Sequence, residues 1–333
     1  MPSISTKSKI AGVRSFEHAG AGVKVIFSGS TAPEREAKVA EVIESQAQSN
    51  SGNEGPIIVP PYDHPDIILG QGTVALEMEA QFQNRQSGLA QGCAGASGVT
   101  SNNDNDNPNF DIVLTPLGGG GLLSGVATWF SHTHTASSSD PHHHKTLTIG
   151  TEPSFQGAND AEIGLSQNKR IPHVRTLTIA DGLRTPVGVI PWSIISDSKK
   201  TVESVFSVTE LEIKMALKIL VERVKVVVEP SSAVPVAVVL FNARFREWVE
   251  QRRRMESEAR KARGEDNDGE ERTWNVGIVL SGGNTTVEGL SELFRGGWLD
   301  EKEDGDGEER KERERETGQV GMDGKKVAED VAG

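Results

Sequence analysis

A chain of 333 residues with a single cysteine, Cys93, has no intrachain disulfide framework to lean on, and it fits a reducing compartment. Long apolar runs are missing as well. No stretch reaches the roughly 20 residues that a membrane-spanning helix needs. The polar start Met1-Pro-Ser-Ile-Ser-Thr6 lacks the build of a secretory leader, so a cytoplasmic location is expected. Basic charge is short: 35 Lys and Arg stand against 48 Asp and Glu, a net charge of −13. That balance argues against nucleic acid and against an anionic membrane as partners. Aromatic residues make up 5% and hydrophobic ones 35%, low for a compact enzyme. The dilution is uneven, which implies a globular core interrupted by polar insertions.

What the chain does have is a tetraglycine. Ile112-Val-Leu114 reads as a buried strand, Gly118, Gly119, Gly120 and Gly121 follow, and a helical pattern runs over 122–130. A loop without Cβ atoms can aim several backbone N–H groups at one oxyanion, and the helix N-terminus behind it adds partial positive charge. The run is neither GxGxxG nor GxxxxGK[ST], so neither dinucleotide nor P-loop binding follows. A second buried strand, Asn275-Val-Gly-Ile-Val-Leu280, ends in Ser281-Gly-Gly-Asn284.

Taken with Gly70-Gln-Gly-Thr-Val-Ala-Leu-Glu77, Thr151-Glu-Pro153, Ile179-Ala-Asp-Gly182 and Val228-Glu-Pro-Ser-Ser232, in this order, these motifs resemble fold-type II pyridoxal-phosphate (PLP) enzymes. This is the tryptophan-synthase-β-like family, and the resemblance is strongest to its serine racemases and serine/threonine dehydratases. It covers about residues 1–294. It implies an α/β fold with a parallel-sheet large domain, a smaller α/β domain, and racemisation of serine or elimination of water from serine or threonine.

The resemblance also implies roles. Gly118, Gly119, Gly120, Gly121 and the Leu122 N–H would hold the PLP phosphate, and Ser281 would place its hydroxyl on the pyridine nitrogen. A neutral hydroxyl there makes the ring a weaker electron sink than a carboxylate would. Arg35 matches a position that meets the substrate carboxylate. Glu152, Ala158 and Asp160 resemble a divalent-cation site of two carboxylates and a carbonyl, suited to Mg²⁺ or Ca²⁺, although two extra residues separate Glu152 from Ala158. Lys225 and Asn284 align with residues that reach ATP in animal serine racemases, but ATP is not expected as an effector. Tyr62 stands where animal racemases have an asparagine near the cofactor, and no contact is carried over to it. A small amino acid is the implied substrate and a homodimer the implied assembly of an intact member.

One family element is missing from this sequence. The lysine that bonds covalently to the cofactor lies in a Ser-x-x-Lys-x-Arg-Gly-like segment, followed by a Ser-Gly-Asn-His loop, and neither occurs here. Met1 aligns with the middle of the family's small domain. The expectation is therefore an N-terminally truncated chain, inactive alone, with no catalytic residue to name; a non-catalytic PLP- or metabolite-binding regulatory paralogue is the alternative, as is an incomplete gene model. Ser51-Gly-Asn53 mimics the loop but precedes an apolar run, not a helix. Lys7 and Lys9 fall in the polar opening segment.

The resemblance implies a partial small domain over 1–66 and a PLP-binding large domain over 67–298; by composition the charged tail over 299–333 cannot bury enough apolar surface to order itself. Polar insertions are expected near 84–109, 131–145 and 250–273. Strands are expected at 23–27 and 56–60, and helices over 34–46, 73–82 and 209–224. The last opens on a Thr209-x-x-Glu212 capping box, with Ile213, Leu217, Leu220 and Val224 on one stripe. His132, His134 and His142-His-His144 form a histidine cluster that reads as hydrophilic loop.

Overall fold

The computed structural model describes residues 1–3, 5, 7–18, 22–29, 32–49, 57–92, 109–136, 145–264 and 272–295. Cys93, His142-His-His144, Ser51-Gly-Asn53 and the 299–333 tail lie outside them, as do 93–108, 137–144 and 265–271 of the expected insertions. By spatial contact the chain forms two units, Met1–Thr285 and Thr286–Gly333.

The helices are α1 (Lys7–His18), α2 (Ala32–Ser49), α3 (Pro65–Gly92), α4 (Gly121–Ala136), α5 (Asp160–Gln167), α6 (Val189–Ile195), α7 (Glu210–Ile219), α8 (Pro230–Phe241), α9 (Ala243–Arg263) and α10 (Val287–Phe294). The strands are β1 (Ile112–Pro116), β2 (Leu147–Pro153), β3 (Ser204–Val208) and β4 (Val276–Ile278). All four strands are parallel, in the order β3-β2-β1-β4. Ile112 pairs with Leu147 on one side and with Val276 on the other. Every residue of β1 is buried, as expected of a parallel strand covered on both faces. One face packs Val113 with Ala75, Phe110, Val126 and Phe130. Near the other end of the strands, Leu117, Leu123, Ala161, Val187, Ile195 and Val205 form a second cluster.

α8 is apolar almost all round and buried from Pro230 to Val238, the pattern of a helix sunk in a core. It ends at Asn242, whose side chain accepts the Phe245 N–H and opens α9, so much of the polar insertion expected near 250–273 is helix. In the second unit, Thr286 caps α10 by accepting the Gly289 N–H.

Several expectations need correction. The helix expected over 73–82 runs from Pro65 to Gly92. Gly72, within this helix, serves a helix crossing: a methyl on it would stand 3.0 Å from the Gly125 carbonyl oxygen of α4, so both residues must be bare for the backbones to approach. α4 likewise carries on through 131–136. The segment at 23–27 is extended, but its neighbourhood holds a single bridge, between Pro2 and Ser28, and 57–60 has no strand partner. β4 is an edge strand with Val276 exposed, not a buried one. Val224 leaves the apolar stripe and is 55% exposed. A π-turn over Leu220–Val224 adds a residue to the helical repeat and rotates it away from the core. β3 had no expectation at all. The capping box at Thr209 is present in full, both side chains closing on the backbone.

Candidate cofactor site

The loop after β1 is enclosed on three sides. A methyl on Gly118 would lie 3.1 Å from the Gly182 carbonyl oxygen and from the Leu183 Cα; one on Gly120 would lie 2.6 Å from Pro191 Cβ; and one on Gly119 would run into the Tyr62 ring. Gly120 also holds φ at +92°, where a side chain is strained. The carbonyls of Gly119 and Gly120 accept from the Gly188 and Ser124 N–H groups, which orients the loop. The first-turn N–H groups of α4 have no acceptor within their own helix, as at any helix N-terminus. A glycine cradle, a helix N-terminus and walls that exclude side chains together suit a phosphate.

Ser281 follows β4, the strand beside β1, so both motifs leave the same end of the sheet. In open parallel sheets ligands gather at that end. Its loop is moored to α8: Ser232 Oγ donates to the Gly282 carbonyl at 2.7 Å and accepts the Gly282 N–H at 2.8 Å, with Ser281 Oγ at 3.4 Å. The span between the two motifs is bridged by the turn 181–183, whose Gly182 N–H donates to Ser231 Oγ, and by Glu229, which lies against both Gly182 and Gly282. Ser281 itself is exposed.

Sequence reasoning left Tyr62 without a role and missed Asp63. Tyr62 lies over Gly119 and Gly121, and Asp63 accepts the Val189 and Ile190 N–H groups at 2.8 and 2.9 Å, capping α6. Burial, then the charges of Glu36 and Asp63, raise the Tyr62 pKa, while Arg35 lowers it. The first turn of α2 therefore stands near the glycine loop, with Arg35 in reach of the tyrosine's field. Arg35 also lines a groove of about 510 Å³ with Lys24, Lys38, Val39, Ile57 and Ile58. The Pro61-Tyr-Asp-His-Pro65 connection bends, with the His64 N–H donating to the Tyr62 carbonyl at 3.1 Å, and its sequence carries no mark of the distant glycine loop it meets.

Glu152 and Asp160 are brought together. Glu152, at the end of β2, is fully buried and accepts the Ala161 and Glu162 N–H groups at the start of α5. Asp160 accepts the Val187 N–H at 3.0 Å. Burial, then the charge of Asp160, raises the Glu152 pKa well above the usual carboxylate range. Burial raises Asp160 to about 7 against the pull of the Val187 N–H and of Arg170. Two adjoining carboxyls in a dry site call for a shared proton or a cation. The two extra residues before Ala158 are absorbed by a 3₁₀ turn over Phe155–Gly157, with Gln156 and Gly157 both left-handed. Among the described residues no group of three or more His, Cys, Asp or Glu side chains has metal-site geometry. Lys225 and Asn284 are both exposed, on segments that meet where Gly283 approaches the Val227 carbonyl. Lys9 is not part of a loose polar opening: it sits on α1, with its ammonium against Asp181.

Known proteins agree with this arrangement. The chain is 32% identical over 274 residues to a serine racemase of Arabidopsis thaliana, covering 82% of this chain and 62% of that protein. It is 30% identical over 277 residues to a serine racemase of Dictyostelium discoideum, covering 83% of this chain and 64% of that one. The chain thus spans somewhat over three fifths of the length of these relatives. Among solved structures, that of maize serine racemase superimposes with a TM-score of 0.57 at 25% identity, over 87% of this chain and 67% of that one. The Dictyostelium discoideum serine racemase structure gives 0.55 at 27%, over 86% and 68%. A family model described as pyridoxal-phosphate dependent enzyme matches residues 1–255, and with the glycine loop, the parallel sheet and the serine loop in place, the chain belongs to that family.

Proposed function

We propose that this chain binds PLP at the C-terminal end of its sheet and belongs functionally with serine racemases and serine/threonine ammonia-lyases. The observation that carries the reading is the enclosed glycine loop placed one strand away from the moored Ser281 loop. When bound, PLP supplies an electron sink for chemistry at the α-carbon of an amino acid. The amides of 118–122 hold its phosphate, Tyr62 excludes water from the loop, and Ser281 meets the ring nitrogen with a neutral hydroxyl. Arg35 takes the substrate carboxylate as a guanidinium fork. The Glu152–Asp160 pair, with the Ala158 carbonyl, takes Mg²⁺ or Ca²⁺ and thereby braces the start of α5.

Turnover of serine or threonine also needs an amine that carries the cofactor and moves the α-proton, a role worth roughly 10²–10⁴-fold in rate. The second reading, a PLP-binding protein without turnover of its own, concerns these 333 residues alone, which hold no Ser-x-x-Lys-x-Arg-Gly-like segment. Equilibrium dialysis against PLP, followed by assays of L-serine and L-threonine, separates the two. We expect PLP to be retained and turnover to match free PLP. Failure of the folded chain to retain PLP would remove the site reading, and robust turnover would remove the second one.

A further inference from the structure

An ion triad stands between the two turns that flank the candidate cofactor site, and no cofactor contact proposed above uses it. Lys9 Nζ is 2.7 Å from Asp181 Oδ2 and 3.8 Å from Glu229 Oε2. Their side chains are only 25%, 23% and 15% exposed. Asp181 opens the turn whose Gly182 and Leu183 wall the glycine loop. Glu229 is the residue before α8. Its N–H donates to the Gly282 carbonyl, and its carboxylate would meet a methyl on Gly282 at 2.9 Å and one on Gly182 at 3.8 Å. One carboxylate therefore belongs to the turn on the phosphate side, and the other is wedged against the Ser281 loop. Left to themselves they repel; the Lys9 ammonium holds them together.

We propose that Lys9 is a positioning residue of this site: its ammonium sets the separation of the turns 181–183 and 281–283, and ties α1 to the rim they form. The part of the proposal that concerns cofactor affinity rests on the reading of the site as a PLP site; the part that concerns the turns does not. The Lys9 Nζ is engaged by Asp181 at 2.7 Å and lies 3.8 Å from Glu229, so its role is to hold these two carboxylates. Burial, and the negative charge of Asp181, push Glu229 toward its neutral form, and Lys9 opposes both. Without Lys9 the wedge between the turns either protonates or swings out.

The test uses the full chain with Lys9→Met, which keeps the aliphatic stem, and Lys9→Arg, which keeps the charge. In hydrogen exchange without cofactor, Lys9→Met should speed the amides of α1 and of both turns by about tenfold while β1 and α8 hold their protection, and Lys9→Arg should stay near the parent. In dialysis, Lys9→Met should weaken PLP about fivefold and Lys9→Arg by less than about twofold. Unchanged exchange in Lys9→Met overturns the proposal. If the parent retains no PLP yet the exchange pattern appears, the PLP reading fails and the positioning role of Lys9 stands. Should Lys9→Met fail to fold, Asp181→Asn is measured instead, with the same pattern expected and the same overturning result. Borohydride reduction with PLP, mapped by mass spectrometry, should leave Lys9 unmodified; a PLP adduct on Lys9 would show that it reacts, and would overturn the assignment.

Discussion

Ile112-Val-Leu114 and Ile57-Ile-Val59 are nearly the same tripeptide, and they end in opposite environments. The first is completely buried; the second is 85%, 56% and 75% exposed. Composition does not separate them, since both are aliphatic and mostly β-branched. Partners do: the first has a strand on each side and helices over both faces, whereas the second has no strand partner among the described residues. The apolar pattern announces a wish to be buried, and the neighbours decide whether it is met.

That contrast can be broken by truncating both. Leu114→Ala removes a fully buried side chain and should cost about 3–5 kcal/mol, transfer plus cavity. Ile58→Ala removes one already in water and should fall within about 0.5 kcal/mol. Urea denaturation monitored by circular dichroism reads both. Equal losses would mean that 57–59 is covered in solution, and the contrast would collapse.

Two glycines sharpen the same comparison at the backbone. Gly119→Ala places a methyl in the Tyr62 ring, which must shift to admit it, and should cost about 2 kcal/mol and most of the PLP affinity. Gly12→Ala, inside α1 with nothing within 4 Å of the added methyl, should stabilise by up to about 1 kcal/mol through helix propensity. Melting curves with and without PLP distinguish a loop that only packs from one that also binds.

The Glu152–Asp160 pair adds a dependence on pH and cations. Asp160 titrates near 7 in the folded chain against 3.8 as its ordinary value, and Glu152 is raised as well. The folded chain therefore keeps protons that the unfolded chain releases above about pH 4. Stability should fall as pH rises through about 4 to 7, by roughly 1.4 kcal/mol per pH unit for each retained proton. The expected record is a melting temperature in chelator that declines from pH 5 to pH 7.5, and an Mg²⁺ titration that cancels the decline. Asp160→Asn, which can still accept the Val187 N–H through its amide oxygen, should flatten it. A melting temperature indifferent to pH, Mg²⁺ and this substitution would mean that neither carboxyl retains a proton above its ordinary range and that the pair takes no cation.

These cases show what the sequence could reveal. The loop 118–121, the Thr209 cap and the strand at Ile112 were legible because each is encoded locally, by missing Cβ atoms, by a spacing of three, or by a continuous apolar run. The Glu152–Asp160 proximity was legible only through resemblance, because seven residues, a 3₁₀ turn among them, intervene before the two carboxyls meet. The Tyr62 dock, the Lys9–Asp181 pair, 172 positions apart, and the Gly72–Gly125 crossing were not legible. Each is a meeting of distant segments, for which neither partner carries a mark. Strands 23–27 and 56–60 were misread for the complementary reason: a strand is completed by its neighbour, and alternation or apolarity alone does not supply one.

The smallest expected effect compares two buried serines in helix first turns. Ser232 Oγ, 0% exposed, has two partners in the backbone of half-buried Gly282; removing it leaves the Gly282 N–H without this acceptor and the carbonyl with only the Glu229 N–H. Ser232→Ala should therefore cost about 1–3 kcal/mol and loosen the Ser281 loop. Ser124 Oγ is equally buried and, among the described residues, has no hydrogen-bond partner at all. Its desolvation is uncompensated, and Ser124→Ala should be neutral or stabilise by up to about 1 kcal/mol in cofactor-free protein. The two variants have the same change in volume, so the difference between their melting temperatures isolates the hydrogen bonds. A destabilising Ser124→Ala would mean that a partner, such as an ordered water, satisfies the hydroxyl. If its loss also weakened PLP, that partner would lie on the phosphate side of the loop, and the cradle would extend one turn deeper into α4 than the glycines alone indicate.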